Sequence, residues 1–394
     1  MAASFIPFHR PSIAKEEIDA VTRVLESRWL TTGPVTHEFE RAFAEYVGSK
    51  HALAVNSCTA ALQLALDAIG LGAEDEVLLP SYTFTATAEV VAYFGARPVL
   101  CDSVEGGFNI DPRDIERRIT PRSRAIIPVH IAGEPCNLEA IRSLADQHGL
   151  SVIEDAAHAL PAMYRGRRIG SISELTAFSF YATKTITTGE GGMLTTDNDE
   201  YARRAAIMRL HGISGDAWKR YSREGSWFYE VLQAGYKLNL TDMQSALGLA
   251  QLRKADRFSQ ARHELAEFYL ERLSRIEELE LPRQAPFGSQ HSWHLFILRL
   301  RPAFSSLNRA GFIDHLKQLG IGTSVHFIPL HLHPYYQQAF GYREGDFPHA
   351  EDAYRRCASV PIYPDLTRDE RERVVRAIEQ AVIESREQVL MAAS

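Results

Sequence analysis

Between residues 50 and 197, short β-branched apolar runs alternate with segments whose apolar residues recur at every third or fourth position. Runs of that length read as strands buried on both faces and the amphipathic segments as crossover helices, so the pattern predicts a mostly parallel sheet in a doubly wound α/β core. The predicted strands are Ala52–Asn56, Val77–Pro80, Pro98–Asp102, Ala125–Ile131, Ser151–Asp155, Thr176–Tyr181 and Gly192–Thr196. Asn137 predicts the cap of a helix with Leu138, Ile141 and Leu144 on one face and Gly149 as its stop, and Asp111–Pro112 predicts a cap followed by proline in the first turn. Two amphipathic helices precede the core, one with Ile18, Val21 and Leu25 on a face, the other with Phe39, Phe43 and Val47 and with Gly48 ending it.

Beyond the core, residues 211–231 are polar, aromatic and glycine-punctuated, and read either as a mobile loop beside a site or as an ordinary surface connection. A long helical pattern over Thr241–Ile276, a strand over Trp293–Leu300, the segment Gly322–Ile328 and a final helix over Arg368–Ser385 predict a small α+β domain. The expected division is a large domain over 1–250 and a small one over 251–394. A chain of 394 residues, 45% hydrophobic and 24% charged, has the material for two such cores.

Charge and cysteines narrow the function classes. A formal net charge of -7 without a basic run gives no surface suited to a phosphate backbone, so no nucleic-acid partner is expected. Cys58, Cys101, Cys136 and Cys357 lack metal spacing and read as reduced thiols. The first residues lack a basic region followed by an apolar core, and no apolar run is long enough to cross a bilayer, so a cytoplasmic protein without membrane insertion is expected.

The chemistry concentrates in Phe178–Gly192, where a single lysine, Lys184, lies between an apolar strand and a glycine-rich turn. Such a lysine is either an ordinary surface residue at a strand end or the amine of a Schiff base. Asp155 closes an apolar run and is either the first residue of an exposed loop or an interior carboxylate able to keep a pyridine nitrogen protonated. Lys184 follows it by 29 residues, the length of a strand, a connection and a strand, so both can reach one sheet edge. Together they suggest pyridoxal 5'-phosphate.

The remaining parts of such a site have candidates. Asn56–Leu62 follows a strand and opens a helix, an anion cradle in which Thr59, the Ala60 amide and the Ser179 hydroxyl could hold a phosphate, although a plain helix cap also explains Thr59. Phe84, at the end of another strand, is either a core aromatic or a ring stacked on the cofactor, and His158 either meets the cofactor's ring or its O3′ or is structural. His326, His331 and His333 do not match zinc spacing and are assigned to substrate contacts or to structure, so no metal is expected. No nucleotide fingerprint follows the first strand, which disfavours a nicotinamide enzyme.

On Trp29–Pro34, Asn56–Leu62, Glu154–His158, Phe178–Gly192, Gly235–Asp242 and Val325–His331, the chain resembles the DegT/StrS sugar aminotransferases, a fold type I group of pyridoxal phosphate enzymes acting on nucleotide-linked keto sugars. The resemblance spans nearly all of the chain and implies a seven-stranded, mostly parallel sheet between helices. It implies that Lys184 forms the imine, that Asp155 pairs with the pyridine nitrogen, that Thr59, Ala60 and Ser179 hold the phosphate and that Phe84 stacks on the ring. Asn239 stands where the family's neighbouring subunit reaches the same phosphate, which implies a homodimer with shared sites. Two positions depart from the commoner pattern: Cys58 replaces a glycine, and Tyr181 replaces a histidine and is placed to line the substrate pocket.

The opening Pro7–Pro11 and the Trp29–Pro34 segment look most like members that aminate C4. The implied activity is transfer of the amino group of L-glutamate to the keto carbon of a nucleoside-diphosphate sugar in amino-sugar, polysaccharide or lipid A biosynthesis, with Thr31, Tyr181 and His326 as substrate contacts. The alternatives are amination at C3, a Schiff-base aldolase without cofactor, and a cofactor-binding regulator without turnover.

Overall fold

The computed structural model describes residues 4–214, 228–283, 285–301 and 308–393, with side chains described to residue 384. The chain opens with α1 (Lys15–Ser27) and α2 (Pro34–Val47), followed by β1 (His51–Val55), α3 (Cys58–Ala68), β2 (Glu76–Pro80), α4 (Ala86–Ala92) and β3 (Arg97–Cys101). Then come α5 (Pro112–Arg118), β4 (Ser123–Ile126), α6 (Leu138–His148), β5 (Ser151–Asp155) and a hairpin of β6 (Met163–Tyr164) and β7 (Arg167–Arg168). β8 (Leu175–Ser179), β9 (Gly192–Thr196) and α7 (Asp199–Met208) complete the first part.

The seven strands expected from the apolar runs form one sheet in the order β1-β9-β8-β5-β4-β2-β3. Only β9 runs antiparallel to its neighbours, so the sheet is mostly parallel, as predicted. The predicted strand 125–131 stops at Ile126, because Pro128 has no amide to donate to the ladder. Beyond it, Val129 touches Asp155 through one isolated bridge. One helical face braces the strands that carry the chemistry: Phe39 and Phe43 of α2 lie at 5.5 and 5.0 Å between ring centroids from Phe180 and Phe178. All four rings are fully buried, and each such pair adds about 0.5–1.5 kcal/mol beyond its area burial.

The single helical pattern after residue 241 is two helices, α8 (Asp242–Leu252) and α9 (Ala255–Leu273). Thr241 and Gln244 form a capping box at the start of α8. No glycine or proline separates the two helices, so tertiary contacts make the break: Lys254 is drawn to Glu16 and Glu17 of α1, and Gln251 donates to the Ser12 carbonyl and to Glu17. β10 (Leu279–Glu280), β11 (Phe296–Leu300), α10 (Arg309–Gln318), α11 (Pro334–Phe340), α12 (Pro348–Arg356), β12 (Cys357–Val360) and α13 (Arg368–Ala393) follow. A three-stranded antiparallel sheet, β10-β11-β12, packs with α9, α10 and α13 around its own apolar cluster, which includes Tyr269, Phe296, Phe312 and Val374. The strand expected from Trp293 begins only at Phe296, since Trp293 takes a left-handed φ of 53° that no extended strand uses. Gly322–Ile328 forms no strand of its own and meets β12 through one Ser324–Ser359 bridge. Of the loop read over 211–231, residues 215–227 lie outside the described residues; Ile213 bridges Val231 across them.

Candidate active site

The C-terminal ends of the parallel strands surround one cavity of about 400 Å³. β1 leads into Asn56–Ser57 and the first turn of α3, where Ser57 caps the helix by accepting the Ala60 amide at 3.1 Å. Among the described residues, the Cys58 and Thr59 amides at this helix end have no backbone or side-chain acceptor, and Ser57, Cys58 and Thr59 all face the cavity. This end is pressed closely against β9: a Cβ at Gly192 would lie 2.5 Å from the Ser57 carbonyl carbon and 2.7 Å from the Cys58 nitrogen, so only glycine fits there. β2 delivers Phe84, β5 delivers Asp155 and then His158, and β8 delivers Ser179, Tyr181 and Lys184.

The electrostatics follow from burial. The Lys184 ammonium is desolvated, and although Cys58 and Asp155 favour its charge, its pKa falls to about 8. Asp155 is 5% exposed. Burial pushes its carboxyl up, opposed by the Ala157 amide at 3.1 Å, the Thr87 hydroxyl at 2.9 Å and the Lys184 charge. Burial holds His158 far below its ordinary value, and the Ala132 amide donates to its Nδ1 at 3.3 Å. The neutral ring therefore carries its proton on Nε2. His326 drops to about 4 through burial and the Lys184 charge, and His294, packed 4.4 Å from the His158 ring, is likewise kept neutral by burial.

Of the residues singled out from the sequence, Thr59, Phe84, Asp155, His158, Ser179, Tyr181, Lys184 and His326 line this cavity together. Ala60, Thr31 and Asn239 do not. The Ala60 amide predicted for the anion cradle is engaged by the Ser57 cap. Thr31 is exposed, and its carbonyl accepts the Asp242 amide. Asn239 donates to Thr32 Oγ1 at 2.7 Å and accepts from Lys237 at 2.6 Å. Among the other late histidines, His331 is fully buried between Ser81 Oγ at 2.6 Å and Glu351 at 2.9 Å, a structural pin joining the β2 loop to α12, and His333 lies on a neighbouring groove. Ser57, Thr87 and His294 line the cavity without having been singled out. The cap position marks Ser57, whereas nothing local marks the other two. Among the described residues no group of three or more metal-ligating side chains occurs, and no helix is long and apolar enough to cross a membrane.

An amine of lowered basicity, a buried carboxylate and an anion cradle at the strand ends of a mostly parallel sheet define the class of enzymes that work through an aldehyde cofactor. The sequence profile of the DegT/DnrJ/EryC1/StrS aminotransferase family matches residues 11–379, and the chain belongs to that family. It is 51% identical over 383 residues to the uncharacterized protein MJ1066 of Methanocaldococcus jannaschii, covering 97% of this chain and 99% of that one. It is 49% identical over 379 residues to the spore coat polysaccharide biosynthesis protein SpsC of Bacillus subtilis, covering 96% and 97%. Among solved structures, the PLP form of Spr1654 of Streptococcus pneumoniae, a sugar aminotransferase by its description, superposes with a TM-score of 0.90 at 30% identity, covering 97% and 99%.

Proposed function

We propose that this aminotransferase uses pyridoxal 5'-phosphate to take the amino group of L-glutamate, releasing 2-oxoglutarate, and deliver it to the C4 keto carbon of a nucleoside-diphosphate sugar for amino-sugar or polysaccharide biosynthesis. The observation that carries the reading is one cavity holding the Lys184 amine, with its pKa near 8, together with the buried Asp155 carboxylate. The other cavity residues fit the cofactor. The first turn of α3 with the Thr59 and Ser179 hydroxyls suits a phosphate, the Phe84 ring suits a stacked pyridine, and the Nε2 proton of His158 suits the ring hydroxyl.

When bound, the cofactor supplies an electron-accepting ring conjugated to the nitrogen in transit. Lys184 Nζ, as a free amine, would take the proton from the donor's α-carbon and, in the second half, would give one to the former keto carbon of the acceptor. A lowered pKa suits it to both directions near neutral pH. Asp155 keeps the ring nitrogen protonated, and the buried site holds that charge ready before reaction. Tyr181, His326 and, in the full assembly, Thr31 are the proposed acceptor contacts. Residues 1–250 then form the cofactor-binding domain and 251–394 a smaller domain that closes the cavity with His294 and His326.

A homodimer with shared sites accounts for Asn239, which does not line its own cavity, and for Phe84, which is 59% exposed in the single chain. Four unpaired cysteines suit a reducing compartment, and we place the enzyme in the cytoplasm. The test is incubation of the reconstituted enzyme with glutamate and a panel of 3-keto and 4-keto sugar nucleotides, reading mass and position of the product. Glutamate-dependent amination at C4 is expected. Amination at C3 alone overturns the position, and absence of both amination and a glutamate half-reaction overturns the activity.

A further inference from the structure

Asp155 is held by donors of unequal kind on its two oxygens. Oδ1 accepts the Ala157 amide at 3.1 Å and has the Cys58 thiol 3.9 Å away, whereas Oδ2 accepts the Thr87 hydroxyl at 2.9 Å. Thr87 lies in the first turn of α4 and is fully buried, and its oxygen is 2.9 Å from Oγ1 of Thr83, itself 2% exposed. An ionised carboxylate can only accept, so the one proton of Thr87 is committed to Asp155. The proton between the two threonines therefore belongs to Thr83, and the chain runs from Thr83 to Thr87 to Asp155, each donor polarising the next. Both hydroxyls are closed off from water, so neither has solvent as an alternative partner.

We propose that Thr87, with Thr83 behind it, is a positioning residue for the transfer reaction: it fixes the direction of the Asp155 carboxylate and keeps that group ionised. This rests on the reading that Asp155 meets the cofactor's ring nitrogen. With Oδ2 turned toward Thr87 and Oδ1 toward Ala157, the carboxylate cannot rotate without breaking both bonds. The other ionisable groups acting on it are Lys184 from the turn after β8, His130 from the segment after β4, and Cys58 from α3. Burial works against the ionised form, and Thr87 is the side-chain hydroxyl opposing it. The Thr87 amide donates to the Phe84 carbonyl at 3.2 Å, which ties the start of α4 to the residue proposed to stack on the ring.

The experiment reconstitutes wild type, Thr87→Val, Thr87→Ser and Thr83→Val with pyridoxal phosphate. It measures cofactor content, the pH titration of the bound chromophore's absorbance, and the rate of the glutamate half-reaction. Thr87→Val keeps the side-chain shape and removes the donor. It is expected to slow the half-reaction roughly ten- to a hundredfold, the range of one hydrogen bond to a charged group, and to move the chromophore's titration midpoint. Thr87→Ser is expected to restore both readouts, and Thr83→Val to give a smaller change in the same direction. Wild-type rate and midpoint in Thr87→Val, or a serine variant no better than valine, overturns the inference. If Thr87→Val does not fold, the same two readouts on Thr87→Ser against Thr87→Ala decide it by the same criteria. A wild-type protein that takes up no cofactor instead overturns the proposed function, so the two failures are distinct.

Discussion

Asp155, deep in the cavity, is 5% exposed and ringed by donors from strand ends and helix starts, whereas Phe84 and Tyr181, on the same cavity, are 59% and 47% exposed. The deep wall is built from residues that one chain completes by itself. The outer wall presents large rings with about half of their surface open. A buried charge is costly unless the fold supplies its partners in fixed positions, so the deep wall tolerates few changes, while an exposed ring loses little when it is replaced. The carboxylate proposed to face the cofactor thus sits where geometry is over-determined, and the groups proposed to meet varied acceptors sit where it is loose.

Three changes break or sharpen this contrast. Lys184→Ala, on the deep wall, is expected to cut transfer by roughly a hundred- to ten-thousandfold, the range for a general acid-base group, with the fold intact by circular dichroism; retention of the glutamate half-reaction would remove its role. A smaller effect is a pH dependence. With the Lys184 pKa lowered to about 8, the neutral amine gains about tenfold per pH unit below that value and then levels, so cofactor capture by the cofactor-free enzyme should rise through pH 8 and flatten above it. Stopped-flow absorbance reads this, and a rise continuing toward pH 10 would show that burial does not act on the amine. The smallest effect belongs to the outer wall. Tyr181→His should change unfolding free energy by less than about 0.5 kcal/mol in a denaturant titration and shift KM for the acceptor while leaving the glutamate half-reaction near wild type. A collapse of the half-reaction would place Tyr181 with the deep wall instead.

The apolar runs were enough to read all seven strands of the main sheet, because strands covered on both faces must be apolar along their length. Asp155 was legible for the related reason that a charged residue closing such a run stands at a strand end, and Lys184 because it lies between an apolar run and a glycine-rich turn. Thr87 was not: it belongs to the run Thr83, Thr85, Thr87, and only the turn that leads from β2 into α4 decides that the first and third face inward while Thr85 reaches Tyr336. His294 was hidden within a predicted strand, and the left-handed turn at Trp293 displaces the strand start past it. The gap between α8 and α9 lacks any breaker residue, since its cause lies in α1, more than two hundred positions earlier.

The sequence by itself determined the layering, the order of elements and the family, because burial period, turn chemistry and motif order are properties of neighbouring residues. Only the tertiary structure decided which hydroxyl faces Asp155, that the Ala60 amide closes the Ser57 cap, and that His326 reaches the cavity while His331 is sealed away from it. Side-chain direction, desolvation and hydrogen-bond partnership depend on groups brought together from distant parts of the chain, and no local pattern encodes them.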